Sequence, residues 1–142
     1  MKKIVKNIAY GKNVYNKREI KAVVQTLKRG TQMGKSVNLF EKKISPLFSK
    51  KYGLMVNSGS SALLLALKVL ELKKGSEVIA PCLNFGTAIS SILLSNLSPV
   101  LVDCEKETLQ IDINQIEKKI TKKTKVLLIP NLIGNIPDWK KI

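Results

Sequence analysis

The 142-residue chain contains no histidine, which excludes imidazole zinc ligands and serine–histidine catalysis from these residues. It has two cysteines, Cys82 and Cys104, too few for a disulfide framework and not in a metal-ligand pattern. No apolar run approaches the ~20 residues of a membrane span, and the longest, around Ala62, breaks at Lys68. The opening Met1-Lys2-Lys3-Ile4-Val5-Lys6-Asn7 is basic but lacks the apolar stretch of a secretion signal, so a soluble cytoplasmic protein with no membrane partner is expected. No internal repeat or low-complexity linker is present.

Acidic residues are also scarce, 10 against 25 lysines and arginines, for a net charge of +15. The excess is uneven: residues 1–53 carry 14 basic and 2 acidic side chains, residues 54–142 carry 11 and 8. Such asymmetry can mark a nucleic-acid surface. Here the lysines are scattered or paired, as at Lys42-Lys43 and Lys50-Lys51, there are only two arginines, and no aromatic-interleaved basic strand occurs. A solvated lysine-rich surface is therefore the favoured reading, with no nucleic-acid partner.

At 44% hydrophobic content the chain can bury a core, and by length it fits one domain. Ile20, Val23, Val24 and Leu27 recur at helical spacing and predict a helix over Lys17–Arg29, ending at Gly30. Phe40, Ile44, Leu47 and Phe48 share a face of a second helix that Pro46 should kink or split. Then strands are predicted to begin near Leu54, Glu77, Val100 and Lys125, with helices over 60–72, 87–96 and 113–121 between them. The helix from Ser60 is apolar nearly all round and is expected to be deeply buried. Alternation at this period predicts an α/β fold of three layers, a mainly parallel sheet flanked by helices. In such a sheet ligands collect at the carboxyl ends of the strands. A dinucleotide-binding domain is a poor rival, because no strand is followed by Gly-x-Gly-x-x-Gly.

The stretch Met55-Val56-Asn57-Ser58-Gly59-Ser60-Ser61-Ala62 leads an apolar segment through a glycine-centred turn into a helix. Gly59 lacks a Cβ where an anion could approach the backbone. Ser60 and Ser61 offer hydroxyls and first-turn N–H groups that have no intrahelical acceptor. The helix dipole adds partial positive charge, so the turn suits a phosphate. A Ser-Gly-Ser turn is equally an ordinary helix cap, and on its own the capping role comes first.

With this turn, Pro81-Cys82-Leu83-Asn84-Phe85-Gly86-Thr87-Ala88 after the second strand and Pro99-Val100-Leu101-Val102-Asp103 as the third, the chain resembles the start of a fold-type I pyridoxal-phosphate enzyme. More closely, it resembles the DegT/DnrJ/StrS sugar aminotransferase family. Tyr10-Gly11, Phe40-Glu41-Lys42, Gly75-Ser76-Glu77-Val78-Ile79 and Gly134-Asn135-Ile136-Pro137-Asp138 follow the family's order nearly end to end. Ser60-Ser61, Asn84-Phe85-Gly86-Thr87 and Leu132-Ile133-Gly134-Asn135-Ile136-Pro137 look closest to its CDP-4-dehydro-6-deoxyglucose 3-dehydrase-like branch.

The resemblance implies that Gly59, Ser60 and Ser61 hold the phosphate of pyridoxal (or pyridoxamine) 5'-phosphate, and that Phe85 lies against its ring. Apart from the resemblance, Phe85 reads as a core aromatic. Tyr10 and residues 30–34 match segments near the active-site mouth in relatives, with ordinary loop roles as an equal alternative. Asp103 reads as a turn or capping carboxylate, Asp138 as the N-cap of a helix starting near Trp139, and Cys82 as a small semi-buried residue. Asn131 stands where many relatives have histidine.

No catalytic residue and no metal ligand is expected in this chain. The ring-nitrogen aspartate and the Schiff-base lysine of the family, or the histidine replacing that lysine in dehydrases, fall later than Ile142, as would any iron–sulfur cluster. The chain is thus expected to be an N-terminal fragment, about the first third of a member. Residues 1–53 form a helical segment, 54–142 part of the cofactor-binding large domain, and the C-terminal domain is absent.

The implied protein is a nucleotide-sugar aminotransferase of surface-polysaccharide or lipopolysaccharide biosynthesis. It would be a homodimer acting on a nucleotide-linked keto-sugar, with glutamate as amino donor. The alternatives are a pyridoxamine-phosphate-dependent nucleotide-sugar 3-dehydrase and, in another class, a small basic non-catalytic anion-binding module.

Overall fold

The computed structural model describes residues 11–32 and 34–142. The chain separates into two compact units, Met1–Met55 and Val56–Ile142. Tyr10, one of the residues matched to the active-site mouth, lies outside the described residues.

The first unit is helical. Helix α1 (Lys17–Arg29) has the bounds that its apolar spacing predicts. Its start is fixed reciprocally: the Asn16 side chain accepts the Arg18 N–H at 2.8 Å and the Glu19 carboxylate accepts the Asn16 N–H at 2.7 Å. Gly30, at φ +131°, ends it. Helix α2 (Lys35–Ile44) tightens at Ser45–Phe48 into a 3-10 turn holding Pro46. Proline lacks an N–H and crowds the preceding turn, so the α-helix does not continue through it.

The second unit carries the sheet. Helix α3 (Gly59–Lys68) leads to strand β1 (Glu77–Pro81), helix α4 (Gly86–Leu94) to β2 (Ser98–Val102), and helix α5 (Ile113–Lys119) to β3 (Thr124–Leu127). The strands are parallel in the order β2-β1-β3, with Ile79 opposite Val100 on one side and Leu127 on the other. From β1 the chain moves one way to β2, then crosses back over β1 to β3. Right-handed crossovers in opposite directions place α4 and α5 on opposite faces.

Side-chain alternation along β1 shows the three layers. Val78 and Ala80 join Leu67 of α3 and Ile92 of α4 in one buried cluster. Ile79 points the other way and joins Val102, Ile111 and Ile116 of α5 in a second. Each fully buried Ile or Val contributes about 1.5–3 kcal/mol relative to leaving it in water.

Several expectations are corrected. The strand expected near Leu54 does not form: residues 52–56 are irregular, with no strand beside them among the described residues. An apolar segment becomes a strand only where a neighbour completes its hydrogen bonds.

The helix expected over 60–72 stops at Lys68, because Glu71 takes a left-handed φ of +47° that cannot continue a helix. Nor is α3 deeply buried: Leu67 is its one buried residue. The helix expected over 87–96 likewise ends early, at Leu94, and Asn96 (φ +58°) turns the chain after it.

Cys82 is exposed rather than semi-buried, since it sits one residue beyond β1 where the chain leaves the core. Asp138 caps the turn over residues 139–141, as expected of an N-cap: its side chain accepts the Lys140 N–H at 3.2 Å and its carbonyl accepts the Ile142 N–H at 3.2 Å. Among the described residues no helix is long and apolar enough to cross a membrane.

Candidate functional site

Helices α3 and α4 each run into the amino end of the next strand, so both run antiparallel to the sheet. Their N-termini therefore share the carboxyl edge with the loops that follow β1, β2 and β3. This edge carries Gly59, Ser60 and Ser61 at the start of α3 and Phe85 at the start of α4.

The α3 turn is capped and open at once. Ser58 is the N-cap: its hydroxyl oxygen accepts the Ser61 N–H at 3.1 Å, and its O–H donates to Ser61 Oγ, also at 3.1 Å. The Ala62 N–H donates to the Ser58 carbonyl at 3.0 Å. The Gly59 and Ser60 N–H groups have no acceptor among the described residues. A Cβ built on Gly59 would meet nothing within 4 Å, and Gly59 and Ser60 are exposed. Two donors and the positive end of the helix dipole thus face open space, while Ser58 satisfies the third N–H. Ser58 is the residue that sequence reasoning left outside the site. A serine three positions before Ser61, at the entrance of an apolar helix, was the available signal.

Phe85 is 74% exposed and belongs to neither buried cluster, so it is not a core aromatic of this unit. It is the N-cap residue of α4, its N–H held by Asn84 Oδ1 at 2.8 Å, which presents the ring at the mouth of the β1–α4 loop. An exposed planar aromatic can stack on a flat ligand.

Asp103, next after β2, uses Oδ1 to accept the Cys104 N–H at 2.8 Å, while its carbonyl accepts the Asp112 N–H at 2.9 Å. It closes the excursion from β2 to α5, a turn-building role. The Asp112 side chain caps α5 through the Asn114 N–H at 3.0 Å. The Gln115 amide donating to it is the largest influence and, with the Asn114 N–H and side chain and the Lys118 charge, holds its carboxyl below the ordinary range against the opposing effect of desolvation.

The loop after β3 is tied to the same region: Gln110 Nε2 donates to the Leu132 carbonyl at 3.1 Å and Asn135 Nδ2 to the Thr108 carbonyl at 2.8 Å. Gln110 is only 5% exposed, and its Oε1 has no partner among the described residues. Ile133, in the same loop, holds φ +48°, a conformation β-branched residues rarely adopt. Asn131 is exposed at the entrance of that loop.

A parallel α/β layer whose carboxyl edge carries a glycine-opened helix start and an exposed aromatic defines a class of α/β proteins with a ligand-accessible strand-end edge. Within that class, the chain belongs to the DegT/DnrJ/EryC1/StrS aminotransferase family, whose family model matches residues 13–142. It is 34% identical, over all of its own length, to GDP-4-keto-6-deoxy-D-mannose 3-dehydratase of Yersinia pseudotuberculosis, covering 38% of that protein. It is 35% identical over 77% of its length to GDP-perosamine synthase of Escherichia coli O157:H7, covering 30% of that protein. Among solved structures, the E. coli GDP-4-keto-6-deoxy-D-mannose 3-dehydratase with bound hydrated PLP superposes with a TM-score of 0.88 at 32% identity, over 95% of this chain and 36% of that one. The chain thus spans about a third of the length of these relatives.

Proposed function

We propose that this chain is the N-terminal part of a pyridoxal-phosphate-dependent nucleotide-sugar aminotransferase. Residues 1–53 would form its helical lead-in and residues 54–142 part of its cofactor-binding domain. The observation that carries the reading is the open start of α3, within a chain that matches the family model from residue 13 to 142. The residues present fit the cofactor. Gly59 leaves room for a phosphate against the free Gly59 and Ser60 N–H groups, the Ser60 and Ser61 hydroxyls add donors, and the Phe85 ring can cover one face of a pyridine. When bound, the cofactor supplies the electron sink that amine transfer requires. These residues bind and orient it; the groups that would handle its amine and ring nitrogen are expected in the sequence after Ile142.

The complete protein would be a cytoplasmic homodimer of surface-polysaccharide or lipopolysaccharide synthesis, taking its amine from glutamate and acting on a nucleotide-linked keto-sugar. The identity to a 3-dehydratase across the whole chain favours a second reading, pyridoxamine-phosphate-dependent removal of a sugar hydroxyl.

The test is cofactor affinity by absorbance titration on the full-length protein. Ser60→Asp should weaken pyridoxal-phosphate binding far more than Ser98→Asp, at the amino end of β2, because a carboxylate repels the phosphate at short range. Equal affinity in Ser60→Asp and the parent would reduce the turn to a helix cap.

A further inference from the structure

The opposite edge of the sheet carries a second anion-binding feature. Lys73 and Lys74 lie in the loop before β1, Lys122 and Lys123 in the loop before β3, and Lys125 in β3 itself. All five line one concavity of about 290 Å³, with Gly75 and Ser76. These loops enter the amino ends of their strands, so the concavity lies across the sheet from Gly59 and Phe85.

The clustering is not a consequence of average composition. Residues 56–142 carry eleven basic and eight acidic side chains, yet five of the eleven meet here and no carboxylate lines the concavity. The one ion pair among the described residues is Lys141–Asp138, at 3.6 Å, which involves none of the five. Glu77, which adjoins Ser76, has its Oε2 engaged by the hydroxyls of Thr121 at 2.6 Å and Thr124 at 3.0 Å. The Lys125 ammonium donates only to the Lys122 carbonyl, at 3.1 Å.

The two loops are also built against each other and the sheet. The Glu77 N–H donates to the Lys123 carbonyl at 2.9 Å, the Gly75 N–H to the Asn96 carbonyl at 2.9 Å, and the Lys123 N–H to Thr121 Oγ1 at 3.0 Å. Ordered backbone therefore holds the bases of five like-charged side chains together, and a bound counter-charge would lower their mutual repulsion.

We propose that this lysine concavity is a binding site for a compact polyphosphate anion, separate from the proposed cofactor site and independent of it. Lysines act as mobile point charges and select for charge density rather than a planar group. A concave lining suits a small multivalent anion better than the flat face of a membrane or the groove-tracking stripe of a nucleic-acid binder. Free inorganic polyphosphate and the phosphate tail of a nucleotide share this chemistry.

The experiment is calorimetric titration of the full-length, cofactor-loaded protein with tripolyphosphate and, separately, with ATP. The pairs K122Q/K123Q and K73Q/K74Q are compared with K21Q/K28Q, which removes the same charge from α1, and circular dichroism checks that each variant keeps its helix content. Saturable binding of one anion per chain is expected, weaker at higher salt as the Debye length falls below about 8 Å. Each concavity pair should weaken it by about tenfold, and the α1 pair by no more than about twofold. Tighter binding of ATP would assign the nucleotide as ligand; equal affinities would assign the phosphate chain alone. The proposal is overturned by absence of saturable binding, by equal losses in all three pairs, or by lysine-dependent capture only of anionic vesicles or single-stranded oligonucleotides.

Discussion

The Glu41 carboxylate accepts the main-chain N–H of Met55 at 2.7 Å, joining α2 to the segment that follows Gly53. Gly53 makes room for this approach, since a Cβ there would meet the Glu41 carbonyl oxygen at 3.2 Å and Ser45 Cβ at 3.4 Å. The segment that fails to form a strand near Leu54 is thus held by one side chain instead of a ladder. Glu41→Ala should raise the hydrogen-exchange rate of the Met55 amide by about tenfold, the equivalent of one charge-assisted hydrogen bond of roughly 1.4 kcal/mol. An unchanged Met55 amide would show that the segment is ordered by other contacts.

Phe85 should matter to the ring of the cofactor and not to its phosphate. Phe85→Ala in the full-length protein is expected to lose stacking of about 0.5–1.5 kcal/mol, a modest fall in pyridoxal-phosphate affinity. Its affinity for inorganic phosphate should be unchanged. Since the ring is 74% exposed in this unit, the substitution should leave the helix content of the 142-residue chain, read by circular dichroism, where it was. A large drop would mean that Phe85 is structural.

Asp112 gives α5 an acid limit. Its carboxyl is held below the ordinary value, first by the Gln115 amide, so the folded state favours the ionised form. That contribution is complete above the unfolded carboxylate value of about 3.9 and is lost as pH falls from there through the lower folded value. In this window the unfolded chain binds more protons, and stability rises with pH. Protection of the Asn114 amide, its exchange corrected for the intrinsic slowing at lower pH, should fall in this range. Asp112→Asn should flatten the profile; an identical profile in both would remove Asp112 as its source.

The 142-residue chain should self-associate when isolated. In the order β2-β1-β3 both outer strands offer unpaired edges among the described residues, and Leu93, Leu94, Leu101 and Ile136 are exposed. Open edges and apolar surface of this kind template association. Concentration-dependent sedimentation and binding of an apolar dye are expected. A monodisperse monomer with a sharp cooperative melt would contradict this.

Nor should the isolated chain transaminate. As proposed, the chain supplies cofactor-binding residues and no residue that carries the amine. Incubated with pyridoxal phosphate, glutamate and keto-sugar nucleotides, the chain should turn over no faster than the cofactor alone. Faster turnover that depends on one of its lysines would overturn the reading of the chain as a fragment.

The sequence by itself determined what depends on neighbours in the chain. The apolar spacing of Ile20, Val23, Val24 and Leu27 set α1 to the residue, and Pro46 set the break after α2. The strands at Glu77, Ser98 and Thr124 were legible because short β-rich runs alternate with helical patterns at a fixed period. The order of the motifs was legible in the same way, and with it the family.

What only the tertiary structure decided depends on partners distant in sequence. Leu54 to Val56 reads as a strand but has no neighbour among the described residues, and α3 reads as a buried helix but contacts the core mainly through Leu67. Glu71 ended α3 early through a left-handed turn that no residue spacing announced. The gathering of five lysines from two loops was equally invisible, because only the parallel pairing of β1 with β3 brings Lys73 and Lys74 beside Lys122, Lys123 and Lys125. Local pattern fixes which element forms. Burial, pairing and the grouping of charge are properties of surfaces that the chain acquires only by folding.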